Sequence, residues 1–203
     1  LDGRNLVYSA PTSGGKTLVS ELLMFKRILQ ERRGALVVFP FVSLVSEKRE
    51  AYYRVAEAIG LRISEFHHSS KSPLYEEYEI GVATIEKANA LVNYYIQHGI
   101  LFDRLGTIVV DELHLLGDEQ RGYILEMMLT KVRLLSELEN TKKPIQIIGM
   151  SATLPNLAEI GSWLNAAVYQ SNFRPIPLKE YITINGKAYL KPNYPTHPTC
   201  LLY

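Results

Sequence analysis

The chain has 203 residues, 47% of them hydrophobic, a formal net charge of +1 and a single cysteine, Cys200. That length suits one α/β domain, or one domain with a short extension, and the apolar share is enough for a proper core. One cysteine excludes an internal disulfide framework and fits a reducing intracellular compartment; near-neutrality excludes a global positive field, so a nucleic-acid partner must be held by a local surface; no apolar run approaches the ~20 residues of a membrane span.

No secretory signal is recognisable, and a chain that starts at Leu1 and almost at once enters a strand reads as a piece of something longer. The first predicted strand, Leu6–Ser9, runs into Ala10-Pro11-Thr12-Ser13-Gly14-Gly15-Lys16-Thr17, and a helical period follows. That is the context of a phosphate-binding loop. Gly14 and Gly15 let the backbone approach phosphate oxygens in conformations barred to other residues. Successive N–H groups and the helix N-terminus then point at an anion. Lys16 is placed to reach the outer phosphates and the Thr17 hydroxyl to coordinate Mg²⁺. The candidate cradle is therefore Pro11, Thr12, Ser13, Gly14, Gly15, Lys16 and Thr17, with ATP and Mg²⁺ as the implied cofactors. The competing reading is a glycine-rich turn into an ordinary helix. Between Thr17 and Gln30, Leu18, Val19, Leu22, Phe25 and Leu29 share one broad apolar face, with Glu21, Arg27 and Gln30 outside it.

Further strands are predicted at Ala35–Phe39, Leu61–Phe66, Ile80–Ala83, Thr107–Val110 and Ile145–Met150. Several are apolar at consecutive positions, the mark of parallel strands covered on both faces. Between the second and third of these, His67–Tyr78 is polar and holds Pro73, so it reads as a surface loop or insertion. The Tyr52-Tyr53 and Tyr94-Tyr95 pairs lie on helical segments and read as packing residues before base-stacking ones. Thr107–Val110 runs into Asp111-Glu112-Leu113-His114. Asp111 suits a Mg²⁺ ligand acting through water, and Glu112 suits the group that polarises the water attacking a γ-phosphate. His114, able to donate on one ring nitrogen and accept on the other, suits a relay. Alone, the same four residues also fit a solvated acidic turn. Arg121–Leu138 is the longest helical candidate. Ile145–Met150 ends in Ser151-Ala152-Thr153-Leu154-Pro155-Asn156, whose hydroxyls can bond His114 or the carboxylates; in isolation this is an ordinary turn into a helix. From Phe173 on, prolines accumulate, Lys179–Ile184 fits one strand, and the last dozen residues read as extended or poorly ordered.

Strands alternating with helices predict an α/β fold, a doubly wound, mainly parallel sheet with helices on both faces and ligands at the carboxyl ends of its strands. The expected division is a nucleotide-binding domain over 1–172 and an exit segment over 173–203.

The ordered set APTSGGKT, DELH and SATLPN resembles motifs I, II and III of superfamily 2 helicases, and most closely the Ski2-like DNA helicases. PFVSLVSEK at 40–48 resembles motif Ia, ATIEKAN at 83–89 motif Ib, and SNFRPIPLKEY at 171–181 the segment leaving the first motor domain. The resemblance covers nearly the whole chain. It implies a RecA-like first motor domain of an enzyme that spends ATP to translocate 3′ to 5′ on single-stranded DNA and unwind duplexes, with a second RecA-like domain as partner. It implies that Lys16 and Thr17 serve phosphate and metal, that Asp111 and Glu112 serve metal and water, and that Ser151 and Thr153 couple hydrolysis to movement. It also places Pro40, Ser43, Lys48, Thr84 and Lys87 against the DNA backbone. Read from the residues alone, Ser43 and Thr84 fit equally well as caps of ordinary helix N-termini. The family's adenine-contacting glutamine precedes motif I and is not within this sequence. Nor are the arginines of the second motor domain, so the chain alone is expected to hydrolyse ATP poorly. A nucleotide-gated clamp without unwinding and an RNA helicase of the same group are the competing functions. An intracellular location is expected, nuclear in a eukaryote, with no membrane partner.

Overall fold

A computed structural model describes residues 3–12, 14–70, 73, 77–138, 144–152, 154–174, 181–184 and 187–190. Its centre is a seven-stranded sheet: β1 (Asn5–Ser9), β2 (Gly34–Phe39), β3 (Ile63–Phe66), β4 (Ile80–Thr84), β5 (Leu105–Val110), β6 (Gln146–Ser151) and β7 (Ala166–Gln170). The spatial order is β3-β4-β2-β5-β6-β1-β7, and every pairing in it is parallel. β2, β5 and β6 are buried along their whole length. Helices cover both faces, which is why these strands are apolar without alternation.

α1 (Lys16–Glu31) and α2 (Val42–Ala58) cover one face. Met24, Ile28, Val45 and Tyr52 pack there against Tyr8, Val37, Val109 and Ile148. α3 (Ile85–Gln97), α5 (Gly122–Leu138) and α6 (Leu157–Trp163) cover the other, where Leu91, Tyr95, Leu125 and Ile160 meet Val7, Val38, Ile108 and Ile147. A short α4 (Leu101–Arg104) leads into β5. An antiparallel hairpin follows the sheet in sequence, β8 (Tyr181–Ile184) and β9 (Lys187–Leu190). The predicted α/β class and the six predicted strands are present, each within two residues of its expected ends.

Four expectations are corrected. The apolar face of α1 predicted from Leu18, Val19, Leu22, Phe25 and Leu29 is mostly not the inward one; of these residues Phe25 packs, half-buried, against the core. Ser20, Met24 and Ile28 are buried, whereas Leu18, Leu22 and Leu29 are about 60% exposed. Arg27, assigned to the outer face, lies against the far end of the sheet, donating to the carbonyls of Gly106 (3.2 Å) and Pro144 (2.8 Å) and pairing with Glu31 (3.1 Å). Second, His67 and Tyr78, the ends of the predicted surface loop, are buried; the Tyr78 ring packs at 5.3 Å from Phe66, and its hydroxyl receives a bond from Tyr95. Third, β7 was not predicted: it is a short edge strand whose last three residues are exposed, so it lacks the continuous apolar run of the inner strands. Fourth, the strand expected near Lys179–Ile184 has a partner, β9, that was not expected. Tyr52 and Tyr95 are buried packing residues, as read. The last dozen residues lie outside the described ones.

Candidate functional site

β1 delivers Ala10 to the carboxyl edge of the sheet, where its N–H donates to the Ser151 carbonyl at 3.3 Å. The loop then turns sharply, Gly14 N–H donating to the Pro11 carbonyl at 2.9 Å. A Cβ on Gly14 would lie 2.8 Å from that same carbonyl oxygen, so no larger residue fits the turn. Gly15 starts α1 with φ +79°, the left-handed conformation that glycine adopts without cost. Among the described residues no side chain caps α1, and its first turn holds no acidic residue. Its orphan N–H groups and the positive end of its dipole therefore face the loop. Lys16 folds back over the loop, its ammonium donating to the carbonyls of Ala10 (2.8 Å) and Pro11 (3.2 Å). Beneath, the buried Tyr8 hydroxyl donates to the Lys16 carbonyl at 2.5 Å. Burial pushes the Tyr8 pKa up to about 12, so it stays a donor at any physiological pH. Thr17 is half-buried in the same turn; Ser13 lies outside the described residues.

Asp111 and Glu112 follow β5 onto the same edge. Asp111 N–H continues the sheet by donating to Val38 O at 3.0 Å, and its Oδ1 accepts the Glu112 N–H at 2.9 Å. Burial pushes the Asp111 carboxyl above its ordinary range and the neighbouring Glu112 charge adds to this; the bond from Glu112 N–H and the charges of Lys16 and Lys48 oppose it. Among the described residues no group of three or more His, Cys, Asp or Glu could hold a metal by itself. Mg²⁺ takes one or two protein oxygens and completes its shell with phosphates and water; Asp111 and the Thr17 hydroxyl are oxygen donors of the kind such an ion takes. Glu112 has φ +53°, a left-handed conformation that costs a non-glycine residue of order 1–3 kcal/mol.

The turn Leu113–Gly117 that follows is a 3₁₀ helix. Leu113 is fully buried over β6, and a Cβ on Gly149 would lie 2.5 Å from its Cδ2, so the missing side chain at Gly149 is what lets Leu113 dock. Such burial is worth about 1.5–3 kcal/mol and fixes the turn. His114 consequently stands between two motifs: its Nδ1 is 3.2 Å from Glu112 Oε2 and 3.1 Å from Ser151 Oγ. The contact with Ser151 Oγ is a hydrogen bond, and the Glu112 carboxylate stands beside the same ring nitrogen as its charged neighbour. The structure thus brings Lys16, Asp111, Glu112, His114 and Ser151 together; Thr153 lies outside the described residues.

The remaining predicted positions fall on the neighbouring strands. Pro40 is buried just after β2, Ser43 is exposed in the first turn of α2, Thr84 is buried at the start of α3, and Lys87 is half-buried one turn on. Ser43 lies within the first turn of α2, whose N-cap position is taken by Phe41; Thr84 does occupy the N-cap position of α3, but its side chain makes no capping bond. Lys48 acts electrostatically on Asp111, which places it toward the carboxylates. Sequence reading missed Tyr8, hidden in an apolar run, and Gly149, whose only signal is a glycine inside a buried strand. A cavity of about 700 Å³ opens beside the phosphate loop, lined by Leu6, Tyr8, Lys16, Val19, Tyr169 and Phe173.

The DEAD/DEAH box helicase profile matches residues 1–160. DNA polymerase theta of Mus musculus is 46% identical over 199 residues, spanning 93% of this chain and 8% of that protein. The Helicase POLQ-like protein of Homo sapiens is 43% identical over 190 residues, 92% of this chain and 17% of that protein. The ATP-dependent DNA helicase Hel308 of Thermoplasma volcanium is 33% identical over 190 residues, 93% of this chain and 27% of that protein. The chain therefore spans about a quarter or less of the length of these relatives. The phosphate loop, the carboxylate turn and the serine that meets His114 all lie inside the matched span, and the chain belongs to the DEAD/DEAH box helicase family.

Proposed function

We propose that the chain is the ATP-binding motor half of a 3′–5′ DNA helicase that acts on single-stranded DNA in repair or replication-fork processing. The observation that carries this reading is the sheet order. Along one edge, β1, β6 and β5 present Lys16, Ser151, Asp111 and Glu112, and the adjoining β2 and β4 present the Pro40–Lys48 and Thr84–Lys87 segments. One rigid edge thus holds a nucleotide site and, directly beside it, two uncapped helix starts that suit a sugar–phosphate backbone. The names of the relatives, two of them helicases and one of those explicitly a DNA helicase, favour DNA over RNA.

In this reading Gly14, Gly15 and the first N–H groups of α1 hold the triphosphate, and Lys16 exchanges its loop carbonyls for phosphate oxygens. The apolar cavity beside Tyr8 receives the nucleobase. Thr17 and Asp111 hold Mg²⁺, which supplies charge neutralisation across the outer phosphates. Glu112 orients and polarises the attacking water, while His114 reports its charge to Ser151, with Thr153 in the same motif. Pro40, Ser43, Lys48, Thr84 and Lys87 line the strand. Residues 1–172 form the motor domain and 173–203 lead to a second RecA-like domain of the same polypeptide. An intracellular location, nuclear in a eukaryote, fits this task; among the described residues no helix is long and apolar enough to cross a membrane.

The deciding experiment is ATPase stimulation of the full-length protein by single-stranded DNA and by RNA of the same sequence, with strand displacement measured in parallel. Stimulation by DNA with displacement is expected. Stronger stimulation by RNA would make it an RNA helicase; ATP-dependent binding without displacement would make it a clamp.

A further inference from the structure

The turn between the carboxylates and α5 is tightly bonded. Asp118 Oδ1 accepts the N–H groups of Gln120 (3.0 Å) and Arg121 (2.8 Å), and Asp118 O accepts that of Gly122 (2.9 Å). A Cβ on Gly122 would lie 2.4 Å from Leu116 O, so the chain passes too close here for any side chain. From this fixed base Arg121 reaches across the face of the domain. Its Nη1 donates to Pro40 O at 2.7 Å, and its guanidinium lies over the Phe41 ring, 5.3 Å from the centroid. The Phe41 ring is 54% exposed, so the core does little to hold it. One planar cation thus grips two successive residues at the entry to α2, one by a directed bond and one by its face. Those two contacts together fix an orientation that neither would alone.

We propose that Arg121 is the positioning residue of the nucleic-acid grip: it holds Pro40–Phe41 so that Ser43 meets a backbone phosphate, in register with Asp111 and Glu112, from which its own turn extends. This rests on the proposed reading of the Pro40–Lys48 segment as a DNA contact. Arg121 is half-buried and committed to Pro40 and Phe41, so it acts through that segment and does not itself neutralise a phosphate.

The test uses the full-length protein and oligo(dT). Arg121→Ala is expected to raise the DNA concentration for half-maximal ATPase stimulation about tenfold. Basal ATPase, ATP affinity and the salt dependence of DNA binding stay as in the unsubstituted protein. Arg121→Lys, which keeps one donor for Pro40 but not the planar face, falls between the two. Phe41→Leu, which removes the ring and leaves the carbonyl bond, gives a rise of about threefold. It carries the test if Arg121→Ala lowers the melting temperature. An unchanged half-stimulating concentration in Arg121→Ala, or in Phe41→Leu where that variant carries the test, overturns the proposal. So does a salt slope reduced by about one, which would make Arg121 a phosphate contact. Absence of DNA stimulation in the unsubstituted protein would instead overturn the reading on which the proposal rests.

Discussion

Lys16 bonds the carbonyls of its own loop, so a bound triphosphate competes with partners already in place. Replacing it removes both the resting closure of the loop and the cation for the outer phosphates. Lys16→Ala is expected to lower ATP turnover of the full-length protein at least a hundredfold or so, read as phosphate release; normal turnover would remove Lys16 from the site. Glu112 differs in kind. Its carboxylate meets His114 and its backbone is left-handed, but among the described residues no bond ties it to the loop. Glu112→Gln is expected to leave the Kd for ATP unchanged and to cut kcat by about 10²–10⁴. Loss of ATP binding would mean that Glu112 holds the turn together instead of acting on water.

The elements differ in how far the residues announce them. β2, β5 and β6 were legible because a run of buried positions bounded by turn residues has few other interpretations. The inward face of α1 was not. The helix carries two stripes of similar period, 18-22-25-29 and 20-24-28, and hydrophobicity alone selects the wrong one. In the fold Ser20, Met24 and Ile28 are the buried positions, with Leu23 and Phe25 partly buried beside them, while Leu18, Leu22 and Leu29 stay outside. The bond between Arg121 and Pro40 spans 81 residues and obeys no local period, so it is visible only in three dimensions. At the far end of the sheet, Arg62 ties the starts of β3 and β4 together: its guanidinium donates to Glu79 Oε1 (2.8 Å) and Oε2 (3.2 Å), and its N–H to Oε2 (2.7 Å). These bonds hold the Glu79 carboxyl below its ordinary range. A lowered pKa in the folded state adds stability above the usual carboxylate range and loses it as pH falls through the folded value. The pair is solvent-screened, so Glu79→Gln should cost at most about 1 kcal/mol at neutral pH. Urea titrations should show that difference vanish once the pH is well below the carboxylate range; a difference that persists there would mean the loss is one of packing.

At the scale of the whole molecule, no hydrogen bond or ion pair among the described residues ties an arginine to Lys16, Asp111, Glu112 or His114. Arg27, Arg33, Arg62, Arg104, Arg121 and Arg133 are each engaged elsewhere. A cation reaching the γ-phosphate is worth 10³–10⁵ in rate in related phosphoryl-transfer enzymes. The 203-residue chain by itself is therefore expected to bind ATP yet hydrolyse it at least about a thousandfold more slowly than the full-length protein with DNA; comparable turnover would show that the site is complete.

β5 stands between the two halves of the edge, with β2 hydrogen-bonded along one side and β6 along the other, and the bond from Asp111 to Val38 extends that lattice to the carboxylate turn. The paired strand ends on this edge cannot separate without breaking ladder hydrogen bonds. On the proposed reading the chain is the stator of its engine: it would time the cycle and keep hold of the track, with the stroke delivered by a domain that moves against it.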